Sequence, residues 1–536
     1  MPDLTTSLMA GGPAALLLLV GAVPRGLADR HSAAMVTLVA RLATLALAAA
    51  AGCAGMVTAF GPVDVVFWKA PGLVQVNLGT FVDSLTATML LLVSFISLVV
   101  ARFAARALLD EPRQGRFFAA LALTMGAIMT LIVSRNLLMF TAAWMLTSLG
   151  LHRLLEHYPE RPWAIWAARK KFLVSRIGDM FLLAALGLTI WRFGSADYAV
   201  VFAEADAIRQ SGDGGIVVAA IGILLVLGAM TKSAQFPFHS WLPDTMEAPT
   251  PVSAFMHAGI INAGGFLVIR LSPLVALSHA ALDLLALVGA VTALFGGIVM
   301  LTQTSIKRSL AFSTIAQMGF MMLQCGLGAF AAALLHIVAH SLYKAHAFLS
   351  CGSVVEQAVR TRVDKPAAPG VRASLLALPL VIVAAVAAVI VGRGLTGQAA
   401  TATSGGLVLH AVMAVALATL LWQSMLAGSW RLAGMGLAMA CGVSILSAVA
   451  VEAATRLLAG ASVARSIDPP SLLDTIVAMV VVVGFLGVFA LQAAATLLGR
   501  HPLVRGLYVH AANGFYCDIP ARILTARVWG LSTPVP

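Results

Sequence analysis

Stretches of about twenty apolar residues follow one another along this chain, and each has the length that crosses the hydrocarbon of a bilayer. They run from residues 7–24 to residues 471–498, enough for about fourteen or fifteen transmembrane helices. The loops between them are short. The longest, near 60–80, 158–170, 194–213 and 458–470, leave no room for a separately folded domain. Of the 536 residues, 60% are hydrophobic and 10% charged, where a soluble domain carries about 25% charged residues. The expected fold is therefore all-α: a polytopic membrane protein.

Charge narrows the class further. A net charge of +12 would suit nucleic acid. The basic residues, however, sit in short loops between apolar runs: Arg25, Arg30, Arg102, Arg106, Arg113, Arg116, Arg169, Lys170, Lys171, Arg360, Arg362 and Lys365. That is the positive-inside pattern of a bacterial inner membrane, and it argues against a nucleic-acid partner. No basic region precedes the apolar stretch Ala14–Val23, which reads as a first membrane helix and not as a cleaved signal. Five scattered cysteines form no Cys-x-x-Cys, so no zinc or iron–sulfur centre is expected. Neither a hydrolase triad nor a phosphate or dinucleotide fingerprint is present, which points to a transport subunit with no cofactor.

The organisation expected is five segments. Residues 1–115 hold N-terminal transmembrane helices, 116–271 and 275–426 two five-helix blocks that fit an inverted repeat, 427–498 C-terminal helices, and 499–536 an interfacial tail. In that scheme the helix of Lys232 pairs with the helix near Arg393. Tyr508, His510, Phe515, Tyr516 and Trp529 would give the tail a partner-docking surface.

The ionisable residues in the apolar runs carry the functional signal, because charge in hydrocarbon is costly. Lys232 closes the apolar run that begins at Ile216, and Pro237, Pro243, Pro249 and Pro251 follow it. Proline cannot continue a regular helix, and a discontinuous helix beside a charge is how ion-coupled transporters build a central site. Asp179 is either a counter-ion of Lys232 or a carboxylate paired with Arg176, three residues away on one helix face. Lys307 either marks a helix end with Arg308 or joins a conduction path through Thr302, Gln303, Thr304, Ser309, Ser313, Thr314 and Gln317. His336, His340 and Lys344 recur at four-residue steps and so share a face. Imidazole titrates near neutral pH, which suits proton hopping; a shared zinc is the rival, without a third ligand nearby. His257 is a further candidate. Asp244 and Glu247 are either acidic members of a pathway mouth or caps of the helix starting near Thr250.

These residues carry a resemblance. Lys232-Ser-Ala-Gln-x-Pro-x-His-x-Trp-Leu-Pro-Asp244, Pro249-Thr-Pro-Val-Ser-Ala254, Thr304 to Gly319 and His336 to Gly352 resemble the proton-translocating antiporter family. That family includes the large antiporter-like subunits of respiratory complex I and of Mrp-type Na+/H+ antiporters. The resemblance covers Phe117 to Glu356 and implies a central polar axis of Lys232, Lys307, His336, His340 and Lys344, with Asp179 as charge partner. It departs at Met145, where the family has a glutamate that pairs with the broken-helix lysine. The second-half lysine and the long lateral C-terminal helix are also not recognisable. The runs Trp144 to Leu154, Arg169 to Asp179 and Gly506 to Tyr516 resemble one branch, the membrane subunits of DAB inorganic-carbon pumps. That branch implies an H+- or Na+-conducting subunit and a partner, DabA, a large zinc protein similar to β-carbonic anhydrases, which hydrates CO2 to bicarbonate. The alternatives are a complex I or Mrp antiporter subunit, and a non-conducting scaffold for a soluble enzyme.

Overall fold

The computed structural model describes residues 2–70, 76–212, 214–353, 371–395, 404–426, 430–461, 463, 472–497 and 501–530. Arg360, Arg362 and Lys365 lie outside the described residues. Helices dominate, and among the described residues twelve are long and apolar enough to cross a membrane. Three more have the length: α15 (Ile306–Gly326), α16 (Phe330–Leu349) and α17 (Val371–Leu395). In α15 and α16 the polar residues singled out above lower the hydropathy.

The first six spans are α1 (Pro2–Gly21), α3 (Ser32–Phe60), α4 (Ser84–Ala107), α5 (Gln114–Val133), α6 (Leu137–Leu155) and α7 (Pro162–Phe193). A short α2 (Arg25–Arg30) joins the first two. Next come α8 (Tyr198–Ser211), an amphipathic helix where a loop was expected, and α9 (Gly215–Lys232). The span after it is broken twice. A single-turn α10 (Trp241–Asp244) precedes α11 (Thr250–Ala258), and a 3-10 turn at Ile260–Asn262 separates α11 from α12 (Ala263–Arg270). Then follow α13 (Ser272–Val275), α14 (His279–Met300), and beyond α17 the spans α18 (Ser404–Leu426), α19 (Trp430–Leu458) and α20 (Leu472–Leu497). The tail holds α21 (Pro502–Ala512) and α22 (Ile519–Trp529).

One apolar core runs through α1 to α16, and a smaller one joins α17, α18, α19 and α20. The pair α11–α12 is its centre: the span Thr250–Arg270 is buried along its whole length. α17 runs unbroken through Arg393 to Leu395, so the Val-Gly-Arg-Gly sequence ends a helix instead of interrupting one.

Residues 60–80, expected as loop, include an antiparallel hairpin of β1 (Val63–Ala70) and β2 (Val76–Val82). Ionic contacts fix it to the helix ends. Arg135 bridges Asp64 at 2.5 Å and Asp197 at 2.7 Å, and Asn136, which N-caps α6, donates to the Asn77 carbonyl. Beneath it, the buried Arg270 guanidinium donates to both oxygens of Asp83, the N-cap of α4. The opposite end of the molecule carries Arg25, Arg30, Arg102, Arg106, Arg113 and Arg116. By the positive-inside rule that end is cytoplasmic and the hairpin faces outward.

Candidate ion-translocation site

α9 stops at Lys232 because the next turn cannot continue past Pro237, and the freed backbone groups are satisfied by neighbours. The Ser233 hydroxyl donates to the Ile261 carbonyl at 2.6 Å, the Phe236 amide to the Thr292 hydroxyl at 3.0 Å, and the Trp241 indole to the Thr231 carbonyl at 3.2 Å. Irregular backbone at membrane depth is tolerated only when partnered in this way.

The Lys232 ammonium turns towards α6. It donates to the Ser148 hydroxyl at 2.8 Å and the Trp144 carbonyl at 3.1 Å, and lies 4.4 Å from the Trp144 ring centroid, a cation–π contact. Asp179 is not its direct partner. That carboxylate lies 2.6 Å from Arg176, the local pairing that the sequence left open, although neither oxygen has an aligned hydrogen-bond donor. What brings α7 against α9 is Gly178: a Cβ there would overlap the Thr231 hydroxyl.

A second lysine shares the same turn of α6. Lys171 is buried and donates to the Ser148 carbonyl at 2.6 Å. Met145, at the position where a glutamate was expected, lines a cavity of about 400 Å³ with Ser148, Lys171, Ser175 and Arg176.

A second cluster lies across α11, α15 and α16. The Leu310 carbonyl accepts from the Lys344 ammonium at 3.1 Å and from the Thr314 hydroxyl at 3.0 Å. Thr314 having spent its proton there, His257 donates to it through Nδ1 at 3.0 Å and keeps a bare Nε2. His340 is buried, and neither ring nitrogen has a partner among the described groups. Its ring lies 6.2 Å from that of His336, which is half-buried and bonds Gln324 at 3.0 Å. Between the clusters, Asn262 donates to the Ser341 hydroxyl at 2.8 Å. Asn262 follows Ile261, the acceptor of Ser233, and Ser341 follows His340, so polar groups link the lysine at the break to the histidine row.

Other expected members stand apart. Lys307 is half-buried at the start of α15, on the cytoplasmic side and one turn before Leu310. The polar path along α15 is not continuous: Thr314 faces the core, whereas helical periodicity turns Gln317 outward, and Thr304 is exposed in the bend before the helix. Asp244 pairs with the buried Lys170 at 2.9 Å, and Glu247 with Arg161 at an exposed 3.4 Å contact. Neither carboxylate caps α11, whose N-cap is Pro249. Lys170 also reaches Asp518 of the tail at 3.4 Å. Burial alone would raise the Asp518 carboxyl; Lys170 and Arg522 outweigh it and hold the group below its ordinary value. Within the tail, Trp529 packs on Phe172 and Phe515 on Phe295, so these two rings anchor the tail to its own chain. Tyr508 and Tyr516 are exposed.

Sequence reasoning missed Lys171, Ser148, Asn262 and Ser341. Lys171 was hidden in a basic run that reads as a loop; the other three are unremarkable alone.

Comparison with known proteins fits this arrangement. Residues 134–366 match the family profile described as NADH:quinone oxidoreductase/Mrp antiporter, transmembrane. Residues 68–118 match the N-terminus of complex I chain 5. A probable inorganic carbon transporter subunit, DabB2 of Halothiobacillus neapolitanus, is 40% identical over 85% of this chain and 82% of its own length. The probable inorganic carbon transporter subunit DabB of Hydrogenovibrio crunogenus is 41% identical over 54% of this chain and 56% of its own. Among solved structures, the Mrp complex of Dietzia sp. DQ12-45-1b superposes with a TM-score of 0.65 at 24% identity, covering 99% of this chain and 59% of that one, which shows the shared fold. The chain is thus a multi-pass, ion-translocating membrane subunit that belongs to the DabB family, within the complex I and Mrp antiporter group.

Proposed function

We propose that this chain conducts protons across the bacterial inner membrane and so energises an inorganic-carbon partner. One observation carries the reading. Lys232, His257, His340 and Lys344 are all buried nitrogen bases, and both His340 ring nitrogens lack a partner among the described groups. Buried polar atoms of this kind are the usual partners of internal water, and water between titratable bases is a proton route. Sodium would need oxygen ligands, as hard cations do, and the row is built of nitrogen. His336 and Lys307 extend it to the two membrane faces, and Asp179, Asp244 and Glu247 set the charge around its cytoplasmic side.

The carbon assignment rests on the names of the relatives and on the branch resemblance, which brings with it the zinc-containing, carbonic-anhydrase-like partner DabA. In this scheme the partner hydrates CO2 and the present chain supplies the driving force. The test is growth at air levels of CO2 of a strain that depends on this chain. Lys232→Met and His340→Ala are expected to abolish growth while the tagged complex still co-purifies. Normal growth of both would leave the chain a scaffold. Recovery of small membrane subunits in place of a zinc protein would point instead to a complex I or Mrp-type antiporter.

A further inference from the structure

The proton reading leaves a gap at the cytoplasmic side. Met145 stands where a carboxylate was expected, and a thioether carries no proton. The local geometry contains an alternative. Ser148 and His152 of α6 and Glu156, its C-cap, recur at four-residue steps and lead from Lys232 towards the cytoplasmic end. His152 Nε2 lies 3.2 Å from Glu156, whose side chain is 35% exposed; that of His152 is 19% exposed, and Lys171 only 2%. The three groups thus descend from solvent into the interior. His152 Nδ1 is buried and has no partner among the described groups. Its ring lies 5.3 Å from that of Phe172, the residue after Lys171. Lys171 and Lys232 then meet on Ser148, one at its carbonyl and the other at its hydroxyl.

We propose that Glu156, His152 and Lys171 form the cytoplasmic proton inlet of Lys232, in place of the carboxylate missing at Met145. The inference rests on the conduction reading above. Glu156 takes a proton from solvent and passes it to His152 Nε2; the imidazole releases its other proton from Nδ1 to the Lys171 amine. Lys171, now an ammonium, swings from the Ser148 carbonyl to the Ser148 hydroxyl. That hydroxyl accepts one proton and gives its own to the Lys232 amine. Each step exchanges one N–H or O–H bond for another; Lys171 ends as it began, and a ring flip of His152 returns its N–H to the Lys171 side for the next proton. The four-carbon stem of lysine gives the swing its reach, and the cavity beside Met145 gives it room. The remaining charges facing the site are Arg176 and Asp179 of α7, paired with each other. Arg25 and Arg169 act on Glu156 from the cytoplasmic side, where the His152 hydrogen bond is the largest influence holding its carboxyl below the ordinary value.

The full-length chain in liposomes, driven by a potassium diffusion potential and read with an internal pH dye, tests this. Wild type is expected to conduct. Lys171→Arg, which keeps the charge but cannot release a proton, and His152→Ala are each expected to lower flux by about 100-fold, the scale of one lost acid–base group. Unchanged gel-filtration profiles establish that the variants are folded. Added imidazole is expected to restore flux to His152→Ala and not to Lys171→Arg. A Met145→Glu change is expected to recover flux in the Lys171→Arg background. Wild-type flux with normal flux in both single variants overturns the inlet alone. No proton flux in the wild type overturns the conduction reading and the inlet with it.

Discussion

Arg270 and Asp83 are 187 residues apart in sequence and both nearly inaccessible to solvent, joined by two hydrogen bonds of 2.7 and 2.9 Å. Removing one partner of such a pair strands the other charge, at a cost of about 3–5 kcal/mol. Arg270→Ala is therefore expected to lower the melting temperature of the detergent-purified protein sharply. The double change Arg270→Met with Asp83→Leu should lose much less, since no charge is then stranded; differential scanning fluorimetry reads both. Residues of this kind are half legible. Lys232, His340 and Lys344 stand out in sequence because each interrupts an apolar run. Asp83 does not, as it sits at a helix boundary where carboxylates are common caps. Lys171 was obscured for a different reason. α7 begins at Pro162 and runs for 32 residues, so the basic run that reads as a loop is taken into the helix.

At the level of elements, the broken span from Lys232 to Arg270 was legible because prolines announce it. The second break, at Ile260–Asn262, has no proline and comes from Gly259, where the chain leaves helical geometry at φ −113° and ψ −67°. The tail was legible as a separate element, but not the ion pair that docks it. Asp518, Lys170 and Asp244 come from three distant segments. A carboxyl held below its ordinary value stabilises the folded form at neutral pH, and that contribution is lost as pH falls through the folded-state value. Asp518→Asn is accordingly expected to speed hydrogen exchange of the α22 amides at pH 7. The wild-type tail should loosen in the same way only below about pH 4, where unpaired aspartate protonates. Equal exchange in both proteins at pH 7 would show that the aromatic anchors alone hold the tail.

For the whole molecule, alternation of apolar runs and basic loops sufficed to foresee an all-α membrane bundle. It could not foresee the hairpin, whose strands Val63–Ala70 and Val76–Val82 are short and mixed in character. The orientation has a direct check. Lys69, on the hairpin, and Arg505, in the tail, are both exposed. A membrane-impermeant maleimide added to intact spheroplasts is expected to label Lys69→Cys, and to reach Arg505→Cys only after the membrane is opened. The reverse pattern would invert the molecule and exchange inlet for outlet. Lys170 and Lys171 are consecutive on one stiff rod, α7. One holds the tail and the break that follows α9; the other rests on the turn of α6 that holds Lys232. Neighbours on a helix are tied by geometry, so a roll of α7 about its axis that lifts one ammonium off its oxygen must drag the other across its carboxylates. Charge arriving deep in the bilayer and grip on the cytoplasmic tail are two readings of a single dial.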